Sequence, residues 1–453
     1  MWNLLQPVNR LPPEIVSRVA QCVLGSHSMD VRSIIPLTHV CRYWRESIIS
    51  APENWTLVSG GLFGMMALSL ERSKAAPLRL ELCMMDCFRL RDLIIPRLQN
   101  IETLCCDQHV GLEDFIQTFP NFPRSTPNLR SLKLEHAPTW DPSTDPFNLF
   151  PNTMRSLSLY DIPLYPSFLG LRTLTDLSLH YYMVRPPLDA FLDLLGGNCS
   201  LERVDLRIGF DEFPVPTLRN RDVIMNQLQR LSITCWDATI ARAVITRIPL
   251  RRGVHLEITF RDEIGGLGLN DILSDISVTH LSSLSSPTYM KYWSSSHGVR
   301  LTGPNGSFSY DHEWCGYGLF RGVPFTEFPV LPITNVPELH LVHSGPPAVF
   351  HPSSFPALET FTIEGDASPS HLLSALLTNP STSPSLKTLE FRDCMLTEEL
   401  MEELTRFASH RKNTTSTRLD RVAITHKDGK LPSTYSIREL SKHVPVVDVL
   451  TLG

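Results

Sequence analysis

The stretch Leu129-Arg130-Ser131-Leu132-Lys133-Leu134-Glu135 carries the pattern that decides the fold: an apolar residue, two variable residues, an apolar residue, one variable residue and a third apolar residue. Further copies read Met154-Leu157-Leu159, Leu174-Leu177-Leu179, Leu201-Val204-Leu206 and Leu228-Leu231-Ile233. Beyond a gap come Val336-Leu339-Leu341, Leu358-Phe361-Ile363, Leu386-Leu389-Phe391 and Leu419-Val422-Ile424, with weaker copies at Leu80, Leu104 and Leu256. From Leu132 through Leu157, Leu177, Val204 and Leu231 to Leu256 the steps are 25, 20, 27, 27 and 25 residues. Alternation turns the apolar residues of each copy to one side of a short strand and the intervening residues to the other. One copy cannot bury its leucines alone. The spacing therefore predicts a stack in which each strand adds a rung to a parallel sheet and the connectors cover its apolar side.

Several connectors carry a helical pattern of their own. Leu188 to Leu195 ends at Gly196-Gly197, Leu372 to Leu377 has an apolar stripe, and Thr397 caps a helix from Glu398 to Ala408 in which Leu400, Met401, Leu404 and Phe407 return at helical spacing. The pattern breaks from Thr259 to Asn335, yet the 83 residues between Leu256 and Leu339 are close to three periods. Two hidden rungs fit there, at Val278–Leu281 and Ser307–Tyr310. The second has an alternative, a hairpin from Val299–Leu301 back through Pro304-Asn305-Gly306 to Phe308 and Tyr310. Trp293, Trp314, Tyr317 and Phe320 in this segment read either as the packing of an irregular rung or as an exposed binding insertion.

Ahead of the array, Pro12 and Pro13 sit where a helix begins, and Glu14 suits the positive end of its dipole. Ile15, Val16, Val19 and Val23 form its apolar stripe, and Gly25 stops it. Asp30 is positioned to cap a second helix through Val31, Ile34 and Ile35, and Thr38 to Ser50 reads as a third, with Val40, Trp44, Ile48 and Ile49 on one side. A bundle this small has little core of its own and gains stability from a partner that covers its remaining apolar surface.

Three separated pieces of that bundle, Leu11-Pro12-Pro13-Glu14-Ile15, Val40-Cys41-Arg42-Tyr43-Trp44-Arg45 and Ala51-Pro52-Glu53-Asn54-Trp55, resemble an F-box in order and spacing. The segment Gly25 to Arg32 is longer and more polar than the compact turn of that family. The array behind it has the period of leucine-rich repeats and is similar to the irregular repeats of large fungal sets of F-box proteins. The asparagine of regular repeats is replaced by Ala137, Ile162, Tyr182 and Trp236, and only Cys394 resembles the cysteine-type variant.

The resemblance implies an α/β architecture: a small N-terminal three-helix F-box followed by an irregular leucine-rich-repeat solenoid with a parallel sheet on its concave face. It divides the chain into a tail (1–9), the F-box (10–58), a helical connector (59–75) and the solenoid (76–453), irregular over 259–335. By it, Leu11, Pro12, Ile15, Val16, Val40, Cys41 and Trp44 lie at or just behind a surface for the Skp adaptor. Through the adaptor a cullin is recruited, and the repeats hold an unidentified substrate protein for ubiquitin transfer by partner subunits. The runner-up is a repeat scaffold acting outside a cullin ligase.

The outward rung positions are the expected substrate-binding face: Tyr160, His180, Arg203, Asp205, Arg207, Arg230, His255 and Glu257. The run Arg203, Arg207, Arg230 and His255 suits an acidic or phosphorylated segment through bidentate guanidinium bonds. The competing reading is a solvated face whose charges Asp205 and Glu257 partly neutralise.

Composition bounds the remaining classes. The 453 residues are 42% hydrophobic and 19% charged, those of a folded chain. A net charge of −6 and a pI near 6.2 give no basic field, which argues against nucleic acid. No apolar run approaches the roughly 18 to 20 residues that span a bilayer. MWNLLQPVNR has no signal-peptide pattern, so a cytoplasmic or nuclear location without membrane attachment is expected. The ten cysteines include no CxxC pair, and Cys83 and Cys87 lack the second pair a zinc site needs. The sequons at Asn54, Asn198, Asn305 and Asn413 read as chance in a chain of that location. There is no GxSxG, HExxH or GxxxxGK[ST], and the glycines at 265–268 and 316–318 lack the strand-to-helix setting of a phosphate cradle. No metal, cofactor or enzymatic activity is expected of this polypeptide.

Overall fold

The computed structural model describes residues 10–26, 31–59, 62–107, 110, 112–135, 145, 147, 150–182, 188–209, 222–236, 238–262, 287–293, 298–304, 306–314, 333–342, 352–365, 374, 376, 378, 383–394, 396–414, 418–426 and 432–451. Among them are seventeen strands, mostly in parallel pairs, and eleven α-helices. The chain forms two compact units, one running to Arg207 and the other taking over from Leu228. No helix among the described residues is long and apolar enough to cross a membrane.

The first unit opens with α1 (Pro13–Ser26), a 3₁₀ turn at Val31–Ile34 running into α2 (Ile35–Thr38), and α3 (Arg42–Ser50). The expected second helix through Val31, Ile34 and Ile35 opens as the 3₁₀ turn and becomes α-helical only at Ile35, with Pro36 in the first turn, where a missing N–H is tolerated. The third begins at Arg42 rather than Thr38, since Cys41 is extended and its carbonyl accepts the Arg45 N–H at 3.0 Å. Val16, Ala20, Ile34, Trp44, Ile48 and Trp55 form the core of this bundle. Met65 and Leu68 of the next helix, α4 (Phe63–Ser73), pack against that core, so part of its cover comes from the chain itself. Tyr43 Oη donates to the Leu11 carbonyl at 2.6 Å, and Trp55 Nε1 donates to the Ile48 carbonyl at 3.1 Å.

The rungs of this unit are β1 (Leu57–Val58), β2 (Leu78–Leu82), β3 (Ile101–Cys106), β4 (Ser131–Glu135), β5 (Ser156–Tyr160), β6 (Asp176–Tyr181) and β7 (Arg203–Ile208). From β1 to β6 each is parallel to the next, and Leu132, Leu157 and Leu177 fall in one register. These leucines are buried, at about 1.5 to 3 kcal/mol for each such side chain removed from water. Their connectors include α5 (Met84–Ile94), α6 (Leu112–Thr118), α7 (Pro166–Leu169) and α8 (Leu188–Gly197). Where connectors are irregular, phenylalanines fill the space beneath the sheet: Phe115 and Phe122 lie 5.0 Å apart and Phe147 and Phe168 5.1 Å, centroid to centroid.

Buried and backbone hydrogen bonds tie neighbouring rungs. Asn198, wholly buried, donates from Nδ2 to the Leu171 and Leu194 carbonyls at 3.0 and 2.8 Å, and its Oδ1 accepts the Leu174 N–H at 3.2 Å. Cys394 Sγ donates to the Ile363 carbonyl of the preceding rung at 3.3 Å. Leaving β5, Asp161 adopts a left-handed backbone (φ 52°), which aims its N–H at the His180 carbonyl of the next strand, 2.7 Å away. Asp393 (φ 54°) repeats this turn in the second unit, reaching the Thr425 carbonyl at 2.9 Å.

The second unit contains β8 (Arg230–Cys235), β9 (His255–Asp262), β10 (Tyr289–Trp293), β11 (Gly298–Gly303), β12 (Gly306–Trp314), β13 (Glu338–Val342), β14 (Thr360–Glu364), β15 (Thr388–Arg392), β16 (Arg421–His426) and β17 (Val446–Thr451). Its helices are α9 (Ala238–Ile245), α10 (Glu398–Thr414) and α11 (Thr434–Ser441). Thr397 Oγ1 accepts the Leu400 N–H at 3.3 Å at the start of α10, which runs on past the expected Ala408. The extension buries Arg411, whose guanidinium donates to the Ser383, Pro384 and Leu386 carbonyls.

The irregular segment contains a three-stranded antiparallel meander, β10 to β12, set in reverse spatial order between β9 and β13. An odd number of antiparallel strands restores polarity, so both outer strands run parallel to their neighbours. Both sequence readings of Ser307–Tyr310 therefore hold at once. It is a rung beside β9 and one arm of a hairpin that pairs Leu301 with Phe308 and Val299 with Tyr310. The expected rung at Val278–Leu281, Tyr317, Phe320 and Ala137 lie outside the described residues, whereas Trp293 and Trp314 lie in strands. Of Leu372–Leu377 only Ser374 and Leu376 are described, both helical.

Candidate functional site

Two kinds of surface arise from these elements. On the N-terminal bundle, Pro12, Ile15 and Val40 are exposed, Ile15 by 46% and Val40 by 47%, while Leu11 and Cys41 are half-buried. Val16 and Trp44 belong to the core, so these two reach a partner only by supporting the residues in front of them. Exposed β-branched side chains over a packed core make a rigid apolar contact surface.

In the first unit the sheet face opposite the leucines carries a continuous polar network. Lys133 pairs with Glu135 at 2.7 Å and lies over the Tyr160 ring at 4.9 Å, and the Tyr160 and His180 rings are 4.0 Å apart. Arg203 bonds Asp176, and Arg207 lies 3.4 Å from Asp205. Ser178 Oγ and Asp205 Oδ2 both contact His180 Nε2, at 3.0 and 3.2 Å. A relay of nucleophile, base and orienting carboxylate requires the two ring nitrogens to have different partners, so this trio does not form one. Burial pushes the neighbouring Cys105 thiol up to about 11, which leaves it protonated near neutral pH.

In the second unit Arg230 pairs with Glu257 at 2.5 Å, and His255 Nδ1 bonds Ser307 Oγ across the β9–β12 pair. The cations expected to receive an acidic segment thus belong to two units: Arg203 and Arg207 to one, Arg230 and His255 to the other. Each of the three arginines already faces a carboxylate, and such exposed pairs are worth only about 0 to 1 kcal/mol and open readily.

The strand set β10, β13, β14 presents a cluster that the sequence reading passed over. Tyr289 Oη lies 3.0 Å from His340 Nδ1, and His340 Nε2 lies 2.8 Å from Glu364 Oε2. Reading the outward positions of the Val336-Leu339-Leu341 copy would have found His340 and Glu338; Tyr289 had no repeat pattern to mark it. Burial lowers His255 and His340 below the ordinary histidine value, aided by Arg230 and Arg300 at the first and by Lys291 and Arg392 at the second.

The unfolded chain therefore binds more protons than the folded one just below about pH 6.5. Stability is complete above that value and falls as pH drops through the folded values. The urea midpoint at pH 5.5 is expected below that at pH 7.5, with the difference reduced in a His255→Gln/His340→Gln variant. A midpoint equal at the two pH values would contradict the assignment.

Asn54 and Asn198, two of the sequon asparagines, have wholly buried side chains engaged in hydrogen bonds. Among the described residues no group of three or more histidine, cysteine, aspartate or glutamate side chains is arranged to hold a metal ion. No protein-family model matches the chain, and no curated protein matches it.

Proposed function

We propose that the chain is the substrate-recognition subunit of a Skp–cullin–F-box E3 ubiquitin ligase, with the N-terminal bundle as the F-box and the rungs as irregular leucine-rich repeats. The observation that carries this reading is the convergence of the three F-box-like sequence pieces on one small core. Trp44 and Trp55 lie in that core, Tyr43 ties α3 to Leu11, and Ile15 and Val40 stay in solvent. Such a surface suits a Skp adaptor that buries the exposed aliphatic groups and, through its own contacts, brings the cullin. The polar sheet faces, held on rigid strands, suit the target protein. In this reading the polypeptide is non-catalytic, takes no cofactor and works in the cytoplasm or nucleus.

A second reading, a repeat scaffold outside any cullin complex, draws on a specific feature. Met65 and Leu68 pack against the bundle core, so part of its cover comes from the chain itself rather than from an adaptor. The two readings separate on one double variant. Ile15→Asp/Val40→Asp is expected to keep the circular dichroism spectrum and melting temperature of the wild type, because both sites are exposed, and to lose adaptor capture by about tenfold or more. Undiminished capture would remove the docking assignment.

A further inference from the structure

A cavity of about 290 Å³ opens in the first unit where the chain enters β2, β3, β4 and β5. Asn100 and Asn128 line it from neighbouring rungs, each one residue ahead of the first apolar position. Asn100 Nδ2 donates to the Lys74 carbonyl at 3.3 Å and Asn128 Nδ2 to the Gln99 carbonyl at 2.7 Å, which orients both amides. Each amide uses one N–H in this way, and among the described residues its other N–H and its Oδ1 meet no partner. Glu102 and Arg130, two residues further along the same two rungs, add one charge of each sign to the lining. Leu78 pairs with Ile101 but Arg79 with Thr103, so Glu102 is an extra residue opposite β2, a bulge of the kind that re-aims a side chain. The two charges share a single contact, Arg130 Nη1 to Glu102 Oε1 at 3.2 Å, and the arginine side chain is 65% exposed, so the pair opens at little cost. The equivalent pair of the second unit, Lys387 with Glu359, has Ala357 and Ser385 in place of the two asparagines. A charge pair beside two amides is therefore not something the repeat pattern imposes.

We infer that this cavity binds a free α-amino acid with a carboxamide side chain, of the size and chemistry of glutamine, in its zwitterionic form. Arg130 presents its fork to the α-carboxylate and Glu102 accepts from the α-ammonium, so the opened ion pair is replaced by two contacts of the same kind. The unused N–H and Oδ1 groups of Asn100 and Asn128 complement the oxygen and the NH₂ of the guest's side chain. Ala75 and Pro77 give its methylenes an apolar contact, and the Thr153 hydroxyl is held by the Pro127 and Leu129 carbonyls. Drug-sized ligands fill roughly 300 to 1,000 Å³, so a cavity below that range suits a guest this small. The interior of a peptide has neither α charge, and a neutral sugar would open the ion pair without replacing it. A free amino acid with an amide side chain answers to all four polar groups.

The test is calorimetric titration of the full chain with L-glutamine at neutral pH. The expected dissociation constant is about 1 mM, the strength of a few partly solvated contacts. Glu102→Gln and Arg130→Met are each expected to weaken binding by about tenfold or more with an unchanged melting temperature, because neither side chain is part of the core. L-Alanine, which keeps both charges and lacks the amide, is expected to bind about fivefold or more weakly. N-acetylglutamine N-methylamide, which keeps the amide and lacks both charges, is expected not to bind. No binding of glutamine, or binding that both variants leave unaltered, would overturn the site. Equal binding of alanine would overturn the amide contacts of Asn100 and Asn128. Binding of the blocked compound as tight as that of glutamine would overturn the free amino acid and give the cavity to a peptide segment. The site uses no residue of the N-terminal bundle, so it and adaptor capture stand or fall separately.

Discussion

Leu157→Ala is expected to lower the unfolding free energy by about 2 to 5 kcal/mol, the range for a buried leucine reduced to alanine. Leu157 is fully buried and stands in register between Leu132 and Leu177 on the two neighbouring strands. In a stack of rungs the lost methyl groups leave a cavity with walls on both sides, and the parallel backbones that form those walls cannot close over it without breaking their ladders. The substitution should therefore fall in the upper half of the range. Urea unfolding followed by circular dichroism measures it. A loss below about 1 kcal/mol would mean that Leu157 faces outward and that the inward set of every neighbouring rung is misplaced.

Asn198→Ala has a comparable expected effect by a different route, roughly 2 to 5 kcal/mol from buried groups left without partners. Its side chain joins the end of α8 to the loop preceding β6, bonding the Leu171 and Leu194 carbonyls and the Leu174 N–H. Alanine leaves all three backbone groups unmet in a space closed to solvent. Asn413, near the exposed end of α10, provides the contrast: Asn413→Ala is expected to change stability by less than about 0.5 kcal/mol. Equal effects at the two sites would contradict the bridging role of Asn198.

The rungs were legible because alternation of apolar residues over five positions has one cheap solution, a half-buried strand. Copies such as Leu132-Leu134 and Leu389-Phe391 accordingly lie in strands with those residues inward. The bundle's first helix was legible from Pro13, Glu14 and the stripe through Val23. The break before α3 was not, because the extended backbone of Cys41 is a matter of how the chain turns between helices, on which composition is silent. The meander was half legible: its hairpin has a turn signal at Pro304-Asn305-Gly306, but the reversal that puts β12 beside β9 and β10 beside β13 is a long-range choice. Asn198 stands out in the sequence only through a sequon that reads as chance, and its part as a buried structural amide depends on contacts the sequence does not display.

The candidate surfaces divide in the same way. The outward positions of the regular rungs followed from alternation, so Tyr160, His180 and Asp205 fall on one face with direct contacts between neighbours. What sequence could not supply was the pairing of Arg203 with Asp176 and of Arg230 with Glu257, each one strand away, because such pairs depend on register. The same dependence hid the Tyr289, His340 and Glu364 cluster, which only the pairing of β10 with β13 and of β13 with β14 brings together.

The proposal that the N-terminal bundle docks an adaptor is tested by assembly. The full-length chain is mixed with a purified Skp adaptor and cullin and resolved by size-exclusion chromatography with light scattering. The account predicts a single ternary complex of one copy each, in which the cullin joins only when the adaptor is present. Elution of the chain by itself, with the adaptor and cullin in a separate peak, would contradict it and leave the repeat scaffold as the reading of this fold.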